Sequence, residues 1–398
     1  SAASDVYKRQ MPARPVWTWA CLIAALYLYV HVWLRKEDEQ PGVRSVVRPI
    51  RRLKDVRGFL QERQHNAWAS MIPADAWQDT EAVWPDVTDR HTLKMLARMS
   101  CWAYYEHVPP TITDAPGWQW SSKFGWDVDG LRGHIFATAD NASILVALKG
   151  TSASVLPGGK TAQQDKDNDN LLFSCCCARV SPSWKPVCGC YRDHQTCDAV
   201  CIGRTLMERS LYYPAATDLY NNISYMYPRS QIWLTGHSLG GVMASLLGAT
   251  FGVPAVAFES PGDRLAAQRL HVPLPPGSQN NTDALVPVTH VYHTADALAT
   301  GQCVGPHSLC ARTGFALETK CHIGQSIVYD TVRYLGWSVG VLSHRMTQVL
   351  SELLSEDWDM RVLRGRSVPS SVATTLGAVP EAQHETDCVD CAGWTLSA

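Results

Sequence analysis

The stretch Gly236-His237-Ser238-Leu239-Gly240 constrains this chain more than any other. The apolar run Ile232-Trp-Leu-Thr235 leads into it and reads as a buried strand. Leu239-Gly-Gly-Val-Met-Ala-Ser-Leu-Leu247 leads out of it and reads as a helix. A strand that becomes a helix through a single serine must bend so sharply that flanking side chains would collide. Glycine is therefore needed at 236 and 240. The serine is left on a strained bend with its Oγ exposed, and the helix N-terminus behind it favours negative charge. This is the pattern of a nucleophile elbow.

A serine needs a base, and the base needs an orienting acid. With this elbow the chain order is serine, acid, histidine. The downstream acids near strand ends are Asp263, Asp283 and Asp296. Asp263 follows Pro261-Gly262 at a helix start and reads as a cap. Asp283 adjoins a sequon in a loop. Asp296 follows the strand Val288-Thr-His-Val-Tyr-His293 at its carboxyl end, where sheet active sites form, and is the expected acid. His307 and His322 lie among Cys303, Cys310 and Cys321, and His384 lies in the tail. His344 follows Gly336 to Ser343 and precedes a helix, so a loop can carry it over the sheet as the expected base. His290 and His293 precede the acid and read as packed or solvated. The oxyanion donors are expected from the amide of Leu239 and, at the end of the strand Ile144 to Leu148, the amide of Thr151.

Alternating strands and helices run from Gln231 to His293, which points to a mostly parallel sheet covered on both faces. Gly133 to Leu148 reads as a hairpin with Asp140-Asn141 in its turn. Phe59 to Glu106 reads as mostly helical, Trp118 to Trp126 as an aromatic turn region, Thr205 to Tyr227 as a helix and Val341 to Leu354 as another. Residues 152–204 hold Cys175, Cys176, Cys177, Cys188, Cys190, Cys197 and Cys201 without clear periodicity. They read as an insertion stapled by disulfides, with a zinc site from Cys188, Cys190, His194 and Cys197 as the alternative.

The chain has 14 cysteines, too many for an ordinary cytosolic enzyme, so an oxidising compartment is expected. Val16 to Leu34 is apolar, just long enough to span hydrocarbon, and followed by no small-x-small cleavage site. It reads as an uncleaved transmembrane signal anchor. The sequons at Asn141, Asn222 and Asn280 all lie beyond it, which implies a lumenal body and a type II orientation. With Cys21 in the span, an odd number of cysteines remains, so at least one must be unpaired within the chain. A net charge of −2 gives no global field for nucleic acid. The resulting division is a non-native leader at 1–10 and a cytosolic N-terminus at 11–15, then the anchor at 16–34. A basic, solvated and partly extended stalk at 35–58, a catalytic domain at 59–355 and a C-terminal tail at 356–398 follow.

Leu148-Lys-Gly-Thr151, Gly236 to Gly241, Phe258-Glu-Ser-Pro-Gly262 and Thr294-Ala-Asp296 resemble the class 3 lipases. Further segments narrow the resemblance to the fungal vacuolar autophagic-body lipases: Gly125 to Phe136, Cys321 to Asp330, Gly336 to Val339, Ser343-His-Arg345 and Asp387 to Cys391. Ala297-Leu298-Ala299 departs from the proline-containing stretch often found after the acid. The resemblance implies an α/β-hydrolase fold with Ser238, Asp296 and His344 as triad and no metal or cofactor. It also implies a glycosylated membrane protein of the endoplasmic reticulum, Golgi and multivesicular bodies. Such a protein is delivered to the vacuole, where it hydrolyses membrane lipids, phosphatidylserine among them. A lumenal esterase or thioesterase on soluble substrates and an inactive, cysteine-rich, membrane-tethered interaction protein are the alternatives.

Overall fold

A computed structural model describes residues 42–65, 72–108, 115–127, 130–152, 162–181, 184–208, 211–276, 285–365 and 375–397. The expected leader, cytosolic segment and anchor lie outside these residues, as do Asn280 and Asp283. No helix among the described residues is long and apolar enough to cross a membrane.

The strands are β1 (Ser45–Leu53), β2 (Trp77–Pro85), β3 (Trp118–Phe124), β4 (Gly133–Thr138), β5 (Ser143–Leu148) and β6 (Thr196–Asp198). They continue with β7 (Gln231–His237), β8 (Ala255–Phe258), β9 (Val288–His293), β10 (Gln325–Tyr329), β11 (Gln383–His384) and β12 (Thr395–Ser397). Eight of them form one sheet in the order β11-β10-β9-β8-β7-β5-β4-β3. The pairs from β5 through β7, β8 and β9 to β10 are parallel. The edges are antiparallel: the β4–β5 hairpin and β3 on one side, β11 on the other. Strands β8 and β9 are buried along their whole length, as parallel strands covered on both faces must be.

Side chains alternate across β5 and so feed two cores. Ile144, Val146 and Leu148 join the helices Tyr212–Met226 and Leu239–Phe251 on one face. Leu145 and Ala147 join the helix Arg90–Trp102 on the other. The mostly parallel α/β sheet expected from the alternation is therefore present, and the hairpin turns at Asp140-Asn141 as expected.

Several local expectations are corrected. The stalk is not all solvated linker, because β1 pairs antiparallel with β2 from Ser45↔Pro85 to Leu53↔Trp77. Ile50 and Leu53 turn inward while Arg51 salt-bridges Asp79 at 2.6 Å. A strand whose stability comes from a distant partner leaves little local signal. Residues 59–106 accordingly contain β2 between the helices Val56–His65 and Arg90–Trp102. Trp118–Phe124 is an edge strand rather than a turn region. The insertion contains the helices Ala162–Phe173 and Ala199–Leu206, and Thr205 to Tyr227 is broken before Tyr212. Residues 341–353 form short helical turns rather than one helix. The tail begins with the helix Trp358–Gly365 and later supplies β11 and β12.

The cysteines explain why the insertion lacked periodicity. Cys176–Cys197, Cys177–Cys188 and Cys190–Cys201 staple it internally. Cys175–Cys391 and Cys321–Cys388 fasten the tail, and Cys303–Cys310 closes a loop. Cys188, Cys190 and Cys197 are thus spent in disulfides, which removes the thiolates the alternative zinc site needs. Cys101 is the free cysteine among the described residues. Asn141 is exposed on the hairpin turn and Asn222 on the helix Tyr212–Met226.

Candidate active site

The elbow forms at the carboxyl end of β7. Ser238 holds φ 58° and ψ −130°, a strained conformation for a residue with a side chain. A Cβ on Gly236 would stand 2.3 Å from the carbonyl carbon of Gly240, and one on Gly240 would stand 2.2 Å from the Leu148 carbonyl oxygen. Neither glycine can be replaced without moving backbone. Leu239 then opens a helix that is buried on every side.

Three elements converge on the serine. His344 Nε2 lies 2.8 Å from Ser238 Oγ, and His344 Nδ1 lies 2.7 Å from Asp296 Oδ2. Asp296 sits just beyond β9 and is fully buried, and its Oδ1 accepts the Leu298 amide at 2.8 Å. Burial alone would raise its carboxyl. The adjacent His344, its hydrogen bond and the Leu298 amide outweigh this and hold it at about 2. The base loop docks on the acid loop through the Gly340 amide, which donates to Ala295 O at 3.0 Å. So the sequence-expected Ser238, Asp296 and His344 form one relay in which the hydroxyl donates to imidazole and imidazole donates to carboxylate.

Buried histidines hold the base from behind. His237 Nε2–H donates to the His344 carbonyl at 2.8 Å, and His293 Nε2–H donates to the Ser343 carbonyl at 3.0 Å. Burial, reinforced by the His344 ring, pushes His237 down to about 3, so it is neutral. His293 is lowered too, chiefly by burial.

Thr151 follows Gly150, whose added Cβ would lie 2.3 Å from His237 O and 3.1 Å from Ser238 Cβ. The expected oxyanion loop is therefore packed directly against the elbow. The helix Ala162–Phe173 of the insertion grips it. Thr151 Oγ1 donates to Asp169 at 2.6 Å, the Ser152 amide donates to Asp165 at 2.8 Å, and Lys149 Nζ is 3.3 Å from Asp165. Tyr212 hydroxyl donates to Asp165 at 2.6 Å.

The other candidates lie elsewhere. His322 pairs with Glu385 at 2.7 Å, His384 lies in β11, and His307 is exposed in the Cys303–Cys310 loop. Asp263 does not cap its helix with its side chain. It is buried instead, taking the Ser245 hydroxyl and, at 3.0 Å, the Ile323 amide. His290 is buried beside it and bonds Ser260 Oγ at 2.7 Å. Sequence reasoning missed Tyr104, His237, Glu259, His293 and Asp169. Glu259 had a usable signal, since it follows β8 as Asp296 follows β9.

A family model described as Lipase (class 3) matches residues 184–254. A protein named "Putative lipase ATG15" from Mycosarcoma maydis is 45% identical over 90% of this chain and 76% of its own. One of the same name from Cryptococcus neoformans is 46% identical over 81% of this chain and 70% of its own. Among solved structures, Lip2 lipase from Yarrowia lipolytica is 15% identical. It covers 60% of this chain and 77% of its own, with a TM-score of 0.33. The strand order and the sequence relatives, rather than that superposition, define the molecule. The chain belongs to the ATG15 family of class 3 lipases.

Proposed function

We propose that this chain is a serine hydrolase of membrane acyl lipids, phosphatidylserine and triacylglycerol among them. In this reading it lyses autophagic bodies and multivesicular-body vesicles in the vacuole. The observation that carries the chemistry is the Ser238–His344–Asp296 relay, with both hydrogen bonds under 3 Å. Ser238 Oγ attacks the ester carbonyl as His344 takes its proton. Asp296 fixes the imidazole and stabilises its cation. The amides of Leu239 and Thr151 hold the oxyanion, His344 protonates the leaving alcohol, and water repeats the cycle on the acyl-enzyme.

Exposed apolar side chains on the segments that carry His344 and follow Asp296 favour a lipid surface over a soluble ester. Leu342 and Val339 are 66% and 42% exposed on the loop that carries His344. Val304 is exposed on the loop that follows Asp296, and Leu309 is exposed at the start of the short helix Leu309–Arg312 beyond it. The apolar 16–34 stretch, the six disulfides among the described residues and the exposed sequons at Asn141 and Asn222 favour a type II membrane protein with a lumenal catalytic domain.

The test compares the protein with Ser238→Ala on phosphatidylserine vesicles and on a soluble short-chain ester, reading fatty acid released. Release from vesicles that Ser238→Ala abolishes is the expected result. Equal rates for the two proteins would overturn the serine mechanism, and activity on the soluble ester alone would overturn the membrane substrate.

A further inference from the structure

The peptide unit between Gly150 and Thr151 carries two opposed groups. It is trans, so the Gly150 carbonyl and the Thr151 N–H point to opposite sides of one plane. Whatever fixes the carbonyl therefore fixes the N–H. Strand β5 ends at Leu148, so no sheet ladder orients this unit. Among the described residues nothing accepts the Thr151 amide. The amides nearby are committed: Lys149 N–H donates to Arg132 O at 2.9 Å and Ser152 N–H to Asp165 at 2.8 Å. An amide left over beside the elbow is available to an oxyanion.

The carbonyl is held by the residue before it. Lys149 Nζ donates to Gly150 O at 2.9 Å. The ammonium is buried and lies 3.3 Å from Asp165 Oδ2. A lysine head on its flexible stem has no fixed place of its own, and Asp165 supplies one. Asp165 is fixed in turn, taking the Ser152 amide on Oδ2 and the Tyr212 hydroxyl at 2.6 Å on Oδ1. From the other side Gly150 is pressed by the Tyr104 hydroxyl and the His237 carbonyl, which leave no room for a Cβ.

We propose that Lys149 is a positioning residue: its ammonium, seated by Asp165, holds the Gly150 carbonyl so that the Thr151 N–H is aimed and polarised as the second oxyanion donor. The proposal rests on the serine-hydrolase reading above. A cation on the carbonyl oxygen draws electron density along the amide, which makes the N–H at its far end a stronger donor. The gain is largest when the substrate carbonyl becomes an oxyanion, so it falls on the transition state rather than on bound substrate. Asp169 acts differently, because it holds the Thr151 side chain rather than its peptide plane. Burial lowers the Lys149 ammonium from its ordinary range and Asp165 opposes this, in line with a buried pair.

The test uses the full-length protein and a soluble short-chain ester. Lys149→Met removes the cation but strands Asp165, so Lys149→Met/Asp165→Asn accompanies it, with neither charge left and an oxygen still present for the Ser152 amide. Asp165→Asn alone and Ser238→Ala complete the set. Titration with an organophosphonate that modifies Ser238 counts folded sites, and kcat is expressed per site. The double variant should lose kcat by about 10–100-fold with KM nearly unchanged. Its Ki for a trifluoromethyl ketone, which binds as an oxyanion, should rise by the same factor. Asp165→Asn leaves an oxygen to seat Lys149 and should lose much less. A double variant with wild-type kcat per site would overturn the proposal. So would a loss of kcat with ketone affinity unchanged, or an equal loss in Asp165→Asn. Ser238→Ala separates the two layers: if it keeps full activity, the hydrolase reading itself fails.

Discussion

The His237 imidazole bridges Tyr104 and His344. Its Nδ1 accepts the Tyr104 hydroxyl at 2.7 Å while its Nε2–H donates to the His344 carbonyl at 2.8 Å. The two bonds require the same neutral tautomer, so each fixes the other. Burial pushes the Tyr104 hydroxyl well above its usual range, which keeps it a donor. Removing that donor frees the ring that holds the backbone of the base.

Tyr104→Phe should therefore lower kcat by about tenfold with KM nearly unchanged, because alignment rather than substrate contact is lost. It should also cost about 1–3 kcal/mol of stability, as a buried ring nitrogen is left unpaired. Steady-state kinetics and denaturant titration of the variant check both. A rise in KM with kcat intact would contradict the alignment account.

The loop proposed to supply the Thr151 oxyanion amide makes a second prediction. Thr151 bonds Asp169, which burial pushes well above the usual carboxylate range. Asp169→Leu removes the partner and should lower kcat by about 10–100-fold without weakening substrate binding. Asp169→Asn retains a hydrogen-bonding group and should lose far less. Equal losses in the two variants would mean that packing, not the hydrogen bond, holds the loop.

These supports mark where the sequence ceases to be readable. Ser238, Asp296 and His344 were legible because each follows a local rule: two glycines around a serine, an acid after an apolar strand, a histidine after a loop. The parallel sheet was legible because β7, β8 and β9 are short apolar runs between helices. Tyr104 and Asp169 follow no such rule, since each acts on a residue brought close only by the fold. The same reason hid β1 and β2, whose pairing joins Ser45 to Pro85. The odd cysteine was countable in advance, but that Cys101 is the free one depended on the fold.

The disulfide to the tail gives a third prediction. Cys175–Cys391 closes a separation of 216 residues, and a bridge of that span stabilises mainly by restricting the unfolded chain. Cys391→Ser should cost about 2–5 kcal/mol. Cys303–Cys310 closes only 7 residues, so Cys310→Ser should cost clearly less. Thermal melts of the two variants, run without reductant, compare them. A larger loss from the short loop would show that packing in that loop dominates over chain entropy.

The tail is also held by charge, and this sets the pH at which the fold is strongest. His322 Nδ1 and Glu385 Oε1 are 2.7 Å apart, with Ser326 and Tyr292 hydroxyls also donating to Glu385. Burial alone would lower His322, but Glu385 and then Asp263 outweigh it and bring it to about 9. Burial alone would raise Glu385, but His322 outweighs it and brings it to about 2. The raised histidine contributes stability that is complete below its ordinary 6.5 and lost as pH rises through about 9. The lowered glutamate contributes stability that is complete above its ordinary 4.5 and lost as pH falls through about 2. Both contributions are complete only between 4.5 and 6.5. His237 works in the other direction, because its depressed value makes the fold lose stability as pH falls from 6.5 toward 3. His322→Gln should therefore destabilise by about 3 kcal/mol near pH 5 and by less near pH 9, since breaking a buried pair strands its partner. The decisive measurement is the melting temperature of wild type and variant at both pH values. A deficit that does not shrink at the higher pH would show that the tail is held by packing and disulfides rather than by the ion pair.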